Sequence, residues 1–399
     1  MENIIEISGS MTAGINFAMQ QNYVPVFRRL IVRNKSADEI KNVSLRITFQ
    51  PEFAKTYETA PVDLLPDQPV EFTPVKIVID PEYLFTLTEK LVANATVEAV
   101  SGGEVLGSQT LNIELLAYDQ WTGANFMPEM AAAFMTPNHP KVQEIISAAS
   151  LYLQKWCGDP AFTGYQSCNP NIVKQQMGAI YAALQEANIA YTMPPASYEN
   201  AQRIRIPDAV LEGKSGTCLD LSVLYCTCLE AIGLNPLLVL VKGHAFAACW
   251  LDNETFPDCL QFDMTALTKR IAHGIDAICA VECTDFVAGK QVGFDDSEKH
   301  AAANLSEQSE FYFAIDVRRT RASGIRPIPS RIADNGTFKA VDYGERKDSE
   351  ITSAPNELEL HAQGELQDRE VTKQVIWERK LLSRDSTGFG ALEEGLISS

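Results

Sequence analysis

Residues 213–265 read GKSGTCLDLSVLYCTCLEAIGLNPLLVLVKGHAFAACWLDNETFPDCLQFDMT. Gly216-Thr217-Cys218 opens a run in which Leu221, Leu224, Tyr225, Cys228, Leu229 and Ile232 recur at three- and four-residue spacing, the period of a helix with an apolar face. Gly233 stops it, as glycine does just past a helix C-terminus. PLLVLV (236–241) is continuously apolar and predicts a buried strand, Lys242-Gly243 a turn, and HAFAACWL from His244 a second strand. A cysteine at a helix start, with a histidine on a neighbouring strand, is the pairing a thiol nucleophile needs. The helix N-terminus favours thiolate over thiol, and an imidazole within reach takes the proton and returns it.

On either side of this stretch the chain divides by period. Residues 1–118 read as strands. In 43–49, Val43, Leu45, Ile47 and Phe49 alternate with Ser44, Arg46 and Thr48, the two-residue repeat of a half-buried strand. Similar runs cover 26–34, 70–80, 92–100 and 111–117, separated by NKSADE, LPDQP and SGGE. Short strands without a long helix predict an antiparallel sandwich of immunoglobulin-like type, placed to bind or to position the next domain. Around 119–123 the period turns helical, with helices predicted over 137–156 and 170–189, each with a proline at its start. A helix over 265–275 and strands over 277–284 and 311–321 come after the central pair. Residues 119–330 therefore read as one α+β domain, and 331–399 as a polar linker and tail with one helix at 371–382.

The order Cys218, strand pair, Gly243-His244-Ala245-Phe246, then Asp263-x-Thr265, resembles the transglutaminase-like branch of the papain-type cysteine enzymes. The longer text, from GYQ (164–166) through PPASYE (194–199) and GTCLDL (216–221) to GHAFAACW (243–250), is similar to the N-terminal region of large bacterial helicase-related proteins. In these a transglutaminase-like module precedes a DNA-helicase-type motor. The resemblance covers roughly residues 1–381 and implies a Cys-His-Asp/Glu triad. Trp377-Glu378-Arg379-Lys380-Leu381-Leu382 is similar to the family's lead into the motor, but SRDSTGFGALEEGLISS comes next here. The motor is thus expected to be absent and the chain to be a fragment or a truncated relative.

Two acids compete for the third place. Asp263 matches Asp-x-Thr, and a hairpin turning near Asn253 would return it to His244; its ordinary role would be to cap the helix beginning at Thr265. Glu282, in Glu282-Cys283-Thr284, ends a more convincing strand and could serve as Glu-x-Thr. Either would hold the imidazole in its working tautomer. For the oxyanion, Gln166 and Gln202 are candidate donors beside the Cys218 N–H, and Tyr165 and Tyr198 are candidate cleft residues.

The totals exclude several classes. A net charge of −19 argues against direct nucleic-acid binding, which needs clustered Lys and Arg. The small cluster Arg318, Arg319, Arg321 reads as a solvated strand end. Glu212-Gly213-Lys214-Ser215 is no P-loop, because Asp208 stands where its first glycine belongs. The nine cysteines are odd in number and lack a CxxC pair, which predicts reduced thiols and no metal site. No cofactor is expected, nor any membrane segment, and a cytoplasmic location is expected from MENIIEISGSM lacking a leader's pattern. Two functions remain: a peptidase, amidase or transglutaminase-like enzyme acting on a peptide or protein, and a non-catalytic binding or regulatory module for a helicase-type motor.

Overall fold

Eleven-residue Ile40–Gln50 buries Val43, Leu45, Ile47 and Phe49 and turns the residues between them outward, and this alternation sets the first half of the fold. The computed structural model describes residues 4–193, 201–306, 310–334 and 337–340; the expected helix at 371–382, and Tyr198, lie outside them. Ile40–Gln50 pairs with Leu91–Ser101, which pairs with Glu104–Leu115, all antiparallel. The last two strands are joined by Gly102-Gly103, with φ of 58° and 87°; consecutive positive φ values are what a two-residue hairpin turn of type I′ requires. Ile5–Met11, Phe27–Asn34 and Pro69–Glu71 form a second, three-stranded sheet. Ile5, Ile7, Leu30 and Val32 of that sheet share one core with Leu45, Ala95, Val97 and Ile113 of the other. The strand expected over 70–80 ends early: only Pro69–Glu71 joins the ladder, and Pro74 lacks the N–H that would continue it.

The core runs on into the second half through Tyr118 and Trp121, both fully buried. Helices Pro140–Cys157 and Pro170–Glu186 each begin with proline, capped by His139 and Asn169. They precede an antiparallel five-stranded sheet in the order Leu260–Gln261, Phe311–Asp316, Pro236–Val241, His244–Trp250, Ile278–Val281. Pro236–Val241 lies at its centre with every residue buried. Leu238 and Leu240 face the main core with the helix Cys218–Ala231, while Leu237, Val239 and Val241 meet Leu267 and Ala301 on the other face. Cover on both faces explains a continuous apolar run in place of alternation. The architecture is mixed α+β.

The expected strand 311–321 is instead a strand and a short helix. Asp316 accepts the Arg319 N–H at 2.9 Å and starts the helix Val317–Ala322. Arg321 consequently leaves the solvated edge and forms a double hydrogen bond to Glu230, at 2.8 and 3.0 Å. Likewise 277–284 is the strand Ile278–Val281 and then a single turn, Cys283–Asp285.

Candidate active site

The helix Cys218–Ala231 is buried from Cys218 through Leu229, which suits a helix that is apolar all round. Its start is tied by a reciprocal capping box. The Asp220 N–H donates to the Thr217 hydroxyl at 3.3 Å, and the Thr217 N–H donates to the Asp220 carboxylate at 2.9 Å. A helix start carries unpaired N–H groups, and the box leaves those of Cys218 and Leu219 outside it. Buried Asp220 also accepts from the Arg205 N–H at 2.8 Å and its guanidinium at 3.1 Å. Burial pushes the Asp220 carboxyl above its ordinary range, and these donors pull it partly back.

His244 begins its strand directly after Gly243, whose φ of 72° closes the two-residue turn from Val241. The Ser222 hydroxyl, one helical turn after Cys218, contacts the Cys218 carbonyl at 2.7 Å and the Ala245 carbonyl at 3.1 Å. That shared hydroxyl fastens the helix start to the residue next to His244. The imidazole Nε2 lies 2.7 Å from a Glu282 carboxylate oxygen, and the Cys218 thiol is near enough to help raise the imidazole's pKa. Because Nε2 is committed to Glu282, Nδ1 is the nitrogen left for sulfur. Burial draws the imidazole pKa down, but the neighbouring Cys218 and Glu282 outweigh it and raise the group to about 10.

Glu282 is itself buried, with a side chain 6% exposed. It accepts the Thr284 N–H at 2.9 Å and the Asn304 amide at 2.7 Å, and the Ser297 hydroxyl donates to its backbone carbonyl at 3.0 Å. Burial raises its pKa, yet the His244 bond and charge together with Thr284 hold it below the ordinary value. Ser297 and Asn304 come from the helix Phe294–Ala303 and its C-cap. The segment from 286 onward thus supports the acid. Carboxylate and imidazole are hydrogen-bonded with the thiol beside them, an arrangement in which an acid can orient the ring and the ring can take the sulfur's proton.

Asp263 does not join them. It is exposed, accepts the Thr265 N–H at 2.8 Å, and caps the helix Met264–Ile271. Its neighbouring strand, Leu260–Gln261, sits at the sheet edge opposite the Ile278–Val281 edge. The expected hairpin return fails because the edge beside His244–Trp250 is filled by Ile278–Val281, so the chain after Trp250 pairs with Phe311–Asp316 instead. Gln166 is also distant: it is exposed and lines a cavity of about 530 Å³ with Cys157 and Gln175. Its neighbour Tyr165 donates to the Trp250 carbonyl at 2.8 Å, six residues, or about 20 Å of strand, from His244. Gln202 lies closer. It lines a cavity of about 210 Å³ with Thr217 and Asp220, and neither its amide nitrogen nor its amide oxygen has a partner.

Tyr191 carries no signal in the sequence. It stands in the two-residue strand Ala190–Tyr191, parallel to Ser215–Gly216, and burial, with Cys218 nearby, raises its phenol above the ordinary range. Asn304 and Ser222 are equally silent, since neither belongs to a local motif. Burial pushes the thiols of Cys226, Cys228, Cys249, Cys279 and Cys283 up, Cys249 to about 12, which keeps them protonated and inert. Among the described residues no group of three or more His, Cys, Asp or Glu could hold a metal ion, and no helix is long and apolar enough to cross a membrane.

No known family's profile matches the chain, and no curated protein does. A solved structure described as a "putative protease" from Parabacteroides distasonis ATCC 8503 is similar at 14% identity and a TM-score of 0.21. The match covers 61% of this chain and 60% of that one.

Proposed function

We propose that this chain is a cysteine-dependent acyl-transfer enzyme of transglutaminase-like type, with 119–330 as its catalytic half and the sandwich-like 1–118 as a positioning half. The 2.7 Å contact of His244 with buried Glu282, beside the helix-start thiol of Cys218, carries the reading. In the reaction the Cys218 proton passes to His244, and the thiolate attacks an amide carbonyl of a peptide or protein. The tetrahedral oxyanion is received by the free N–H of Cys218, with the unpartnered Gln202 amide as a second donor. Imidazolium protonates the departing amine, leaving a thioester on Cys218 that water hydrolyses or a second amine captures. Hydrolysis needs no second binding site and is the simpler outcome. Glu282, and not Asp263, takes the orienting role.

A second reading has one observation in its favour, the complete burial of Cys218. A non-catalytic binding or regulatory module would tolerate a sealed thiol. A partnership with a helicase-type motor rests on the sequence resemblance alone. Site-resolved iodoacetamide labelling between pH 5 and 9 separates the readings, with His244→Ala alongside. The acyl-transfer reading expects Cys218 to label below pH 7 and to lose that reactivity in the variant. Exposed Cys157 and Cys168 supply internal standards. A Cys218 that tracks those standards, with or without His244, would leave the binding module as the function.

A further inference from the structure

The cavity of about 210 Å³ beside the start of the helix Cys218–Ala231 is lined by Thr217 and Asp220 of the capping box and by Gln120, Gln202, Arg203 and Arg205. The charged groups around it are already paired. Arg203 holds Asp119 at 2.7 and 3.0 Å and Glu89 at 2.8 Å, and Arg205 holds Asp220 at 3.1 Å. Gln120 is engaged too: its amide oxygen accepts the Ala117 N–H at 2.8 Å, and its nitrogen donates to the Ala201 carbonyl at 3.2 Å. Gln202 differs. It is 1% exposed, and neither its amide nitrogen nor its amide oxygen has a partner. Its segment is paired to residues 119–121, Trp121 N–H donating to the Gln202 carbonyl and Ile204 N–H to the Asp119 carbonyl, both at 2.8 Å, which holds the side chain at the cavity wall.

Buried polar groups without partners are costly, and an occupant that pairs them removes the cost. Receiving an oxyanion uses one hydrogen of the Gln202 nitrogen, which carries two, and leaves the oxygen and the other N–H unexplained. The occupant must present a donor and an acceptor side by side. It must also be neutral, because the ions that would attract a carboxylate or a phosphate are neutralised by their own partners. A residue in an extended chain meets both conditions, since its N–H and C=O point to the same side, as they do toward a neighbouring strand. The cavity is several times a water's share of liquid volume, about 30 Å³, and so has room for a piece of chain.

We propose that the Gln202 cavity is a peptide-binding subsite, in which the carboxamide pairs with the main-chain N–H and C=O of one extended residue of a peptide substrate. The contact reads backbone and not side chain, so it accepts many sequences and rejects a small isolated acyl group. It rests on the acyl-transfer reading only in calling the bound peptide a substrate; the capping box sets the occupant beside the Cys218 helix start in either case.

The test is the binding of acetyl-tetra-alanine N-methylamide, a neutral peptide without a side-chain carboxamide, followed by ligand-observed NMR titration. The protein is the full-length chain carrying Cys218→Ser to stop turnover, with and without Gln202→Met, which keeps the length of the side chain and removes its amide. Esters of the peptide, each with one internal N–H replaced by oxygen, are titrated alongside. One lost hydrogen bond weakens binding about fivefold. One ester should therefore bind about fivefold more weakly to the chain that keeps Gln202. Gln202→Met should bind the parent peptide about 25-fold more weakly and be indifferent to that ester. Its unfolding midpoint should not fall, because the substitution deletes groups that had no partner; if it does fall, the ester series on the Gln202 chain decides alone. Equal affinities throughout, or no binding, overturn the subsite and leave water alone in the cavity. Binding that needs an asparagine or glutamine side chain in the peptide overturns main-chain recognition as well. Gln202-dependent binding with Cys218 labelling like an ordinary thiol in the wild-type chain keeps the subsite and removes acyl transfer, whereas low-pH, His244-dependent labelling without such binding removes the subsite alone.

Discussion

Replacing Glu282 by Gln changes charge at nearly constant shape, and the surroundings make the consequence calculable. One carboxylate oxygen receives both His244 Nε2 and the Asn304 amide, each at 2.7 Å, while the other receives the Thr284 N–H at 2.9 Å. A glutamine offers a single oxygen. Turned toward His244 and Asn304, it sets its own NH₂ against the Thr284 N–H; flipped, it sets that NH₂ against two donors. At least one buried donor is left unpaired in either pose, a cost of about 1–3 kcal/mol. The lost charge removes a further interaction: a charge-assisted bond exceeds a neutral one by about 1–1.5 kcal/mol, or about one pKa unit on the imidazole. In the proposed reaction the imidazolium is the counter-ion of the thiolate. Glu282→Gln should therefore move the midpoint of Cys218 alkylation up by about one unit and slow labelling at pH 6 about tenfold. Asp263→Asn, at an exposed cap, should leave the profile in place. Mass-spectrometric rates over pH 5–9 read both variants. A Glu282→Gln profile superimposed on wild type, with only the unfolding midpoint lowered, would show the acid to be structural; a shift in Asp263→Asn instead would refute the assignment outright.

The same contacts set two further outcomes. His244 is raised from 6.5 to about 10 in the folded state, so its contribution to stability is full below 6.5 and is lost as pH climbs toward 10. The difference in unfolding free energy between wild type and His244→Ala should fall by on the order of 2–4 kcal/mol from pH 6 to pH 10, allowing for partial exposure; urea titrations that give a flat difference contradict it. Asp220→Ala removes one half of the capping box and the partner of the Arg205 backbone and guanidinium, and should destabilise by about 3–4 kcal/mol. A loss below about 1 kcal/mol by chemical denaturation would mean that water replaces those bonds.

Local patterns carry much of the fold in the sequence. Alternation across 43–49 exposes the face of Ile40–Gln50, prolines mark the starts of Pro140–Cys157 and Pro170–Glu186, and the unbroken PLLVLV announces a strand buried on both faces. Errors arise where one polar residue or a distant strand overrides the pattern. Asp316 captures the Arg319 N–H and converts the end of an apparent strand into a helix, and Pro74 interrupts another. Cys218 is legible at a helix start because Gly216-Thr217 and the apolar period after it are local signals. The choice between Asp263 and Glu282 is not, because it turns on sheet order.

That order decides which acid meets the imidazole. After Trp250 the chain has two edges on which to add strands, and Ile278–Val281 takes the one beside His244–Trp250. Its C-terminal end, where Glu282 sits, then lies level with the start of the antiparallel His244 strand, since Ala247 pairs with Val281. Asp263, one strand pairing beyond Phe311–Asp316, is free to do what an aspartate before Met-Thr does locally, which is to cap a helix. Ser297 and Asn304 then fix Glu282 from a helix on the far side. Buried acid, oriented ring and helix-start thiol are each set by a different element, so their juxtaposition depends on how those elements pack.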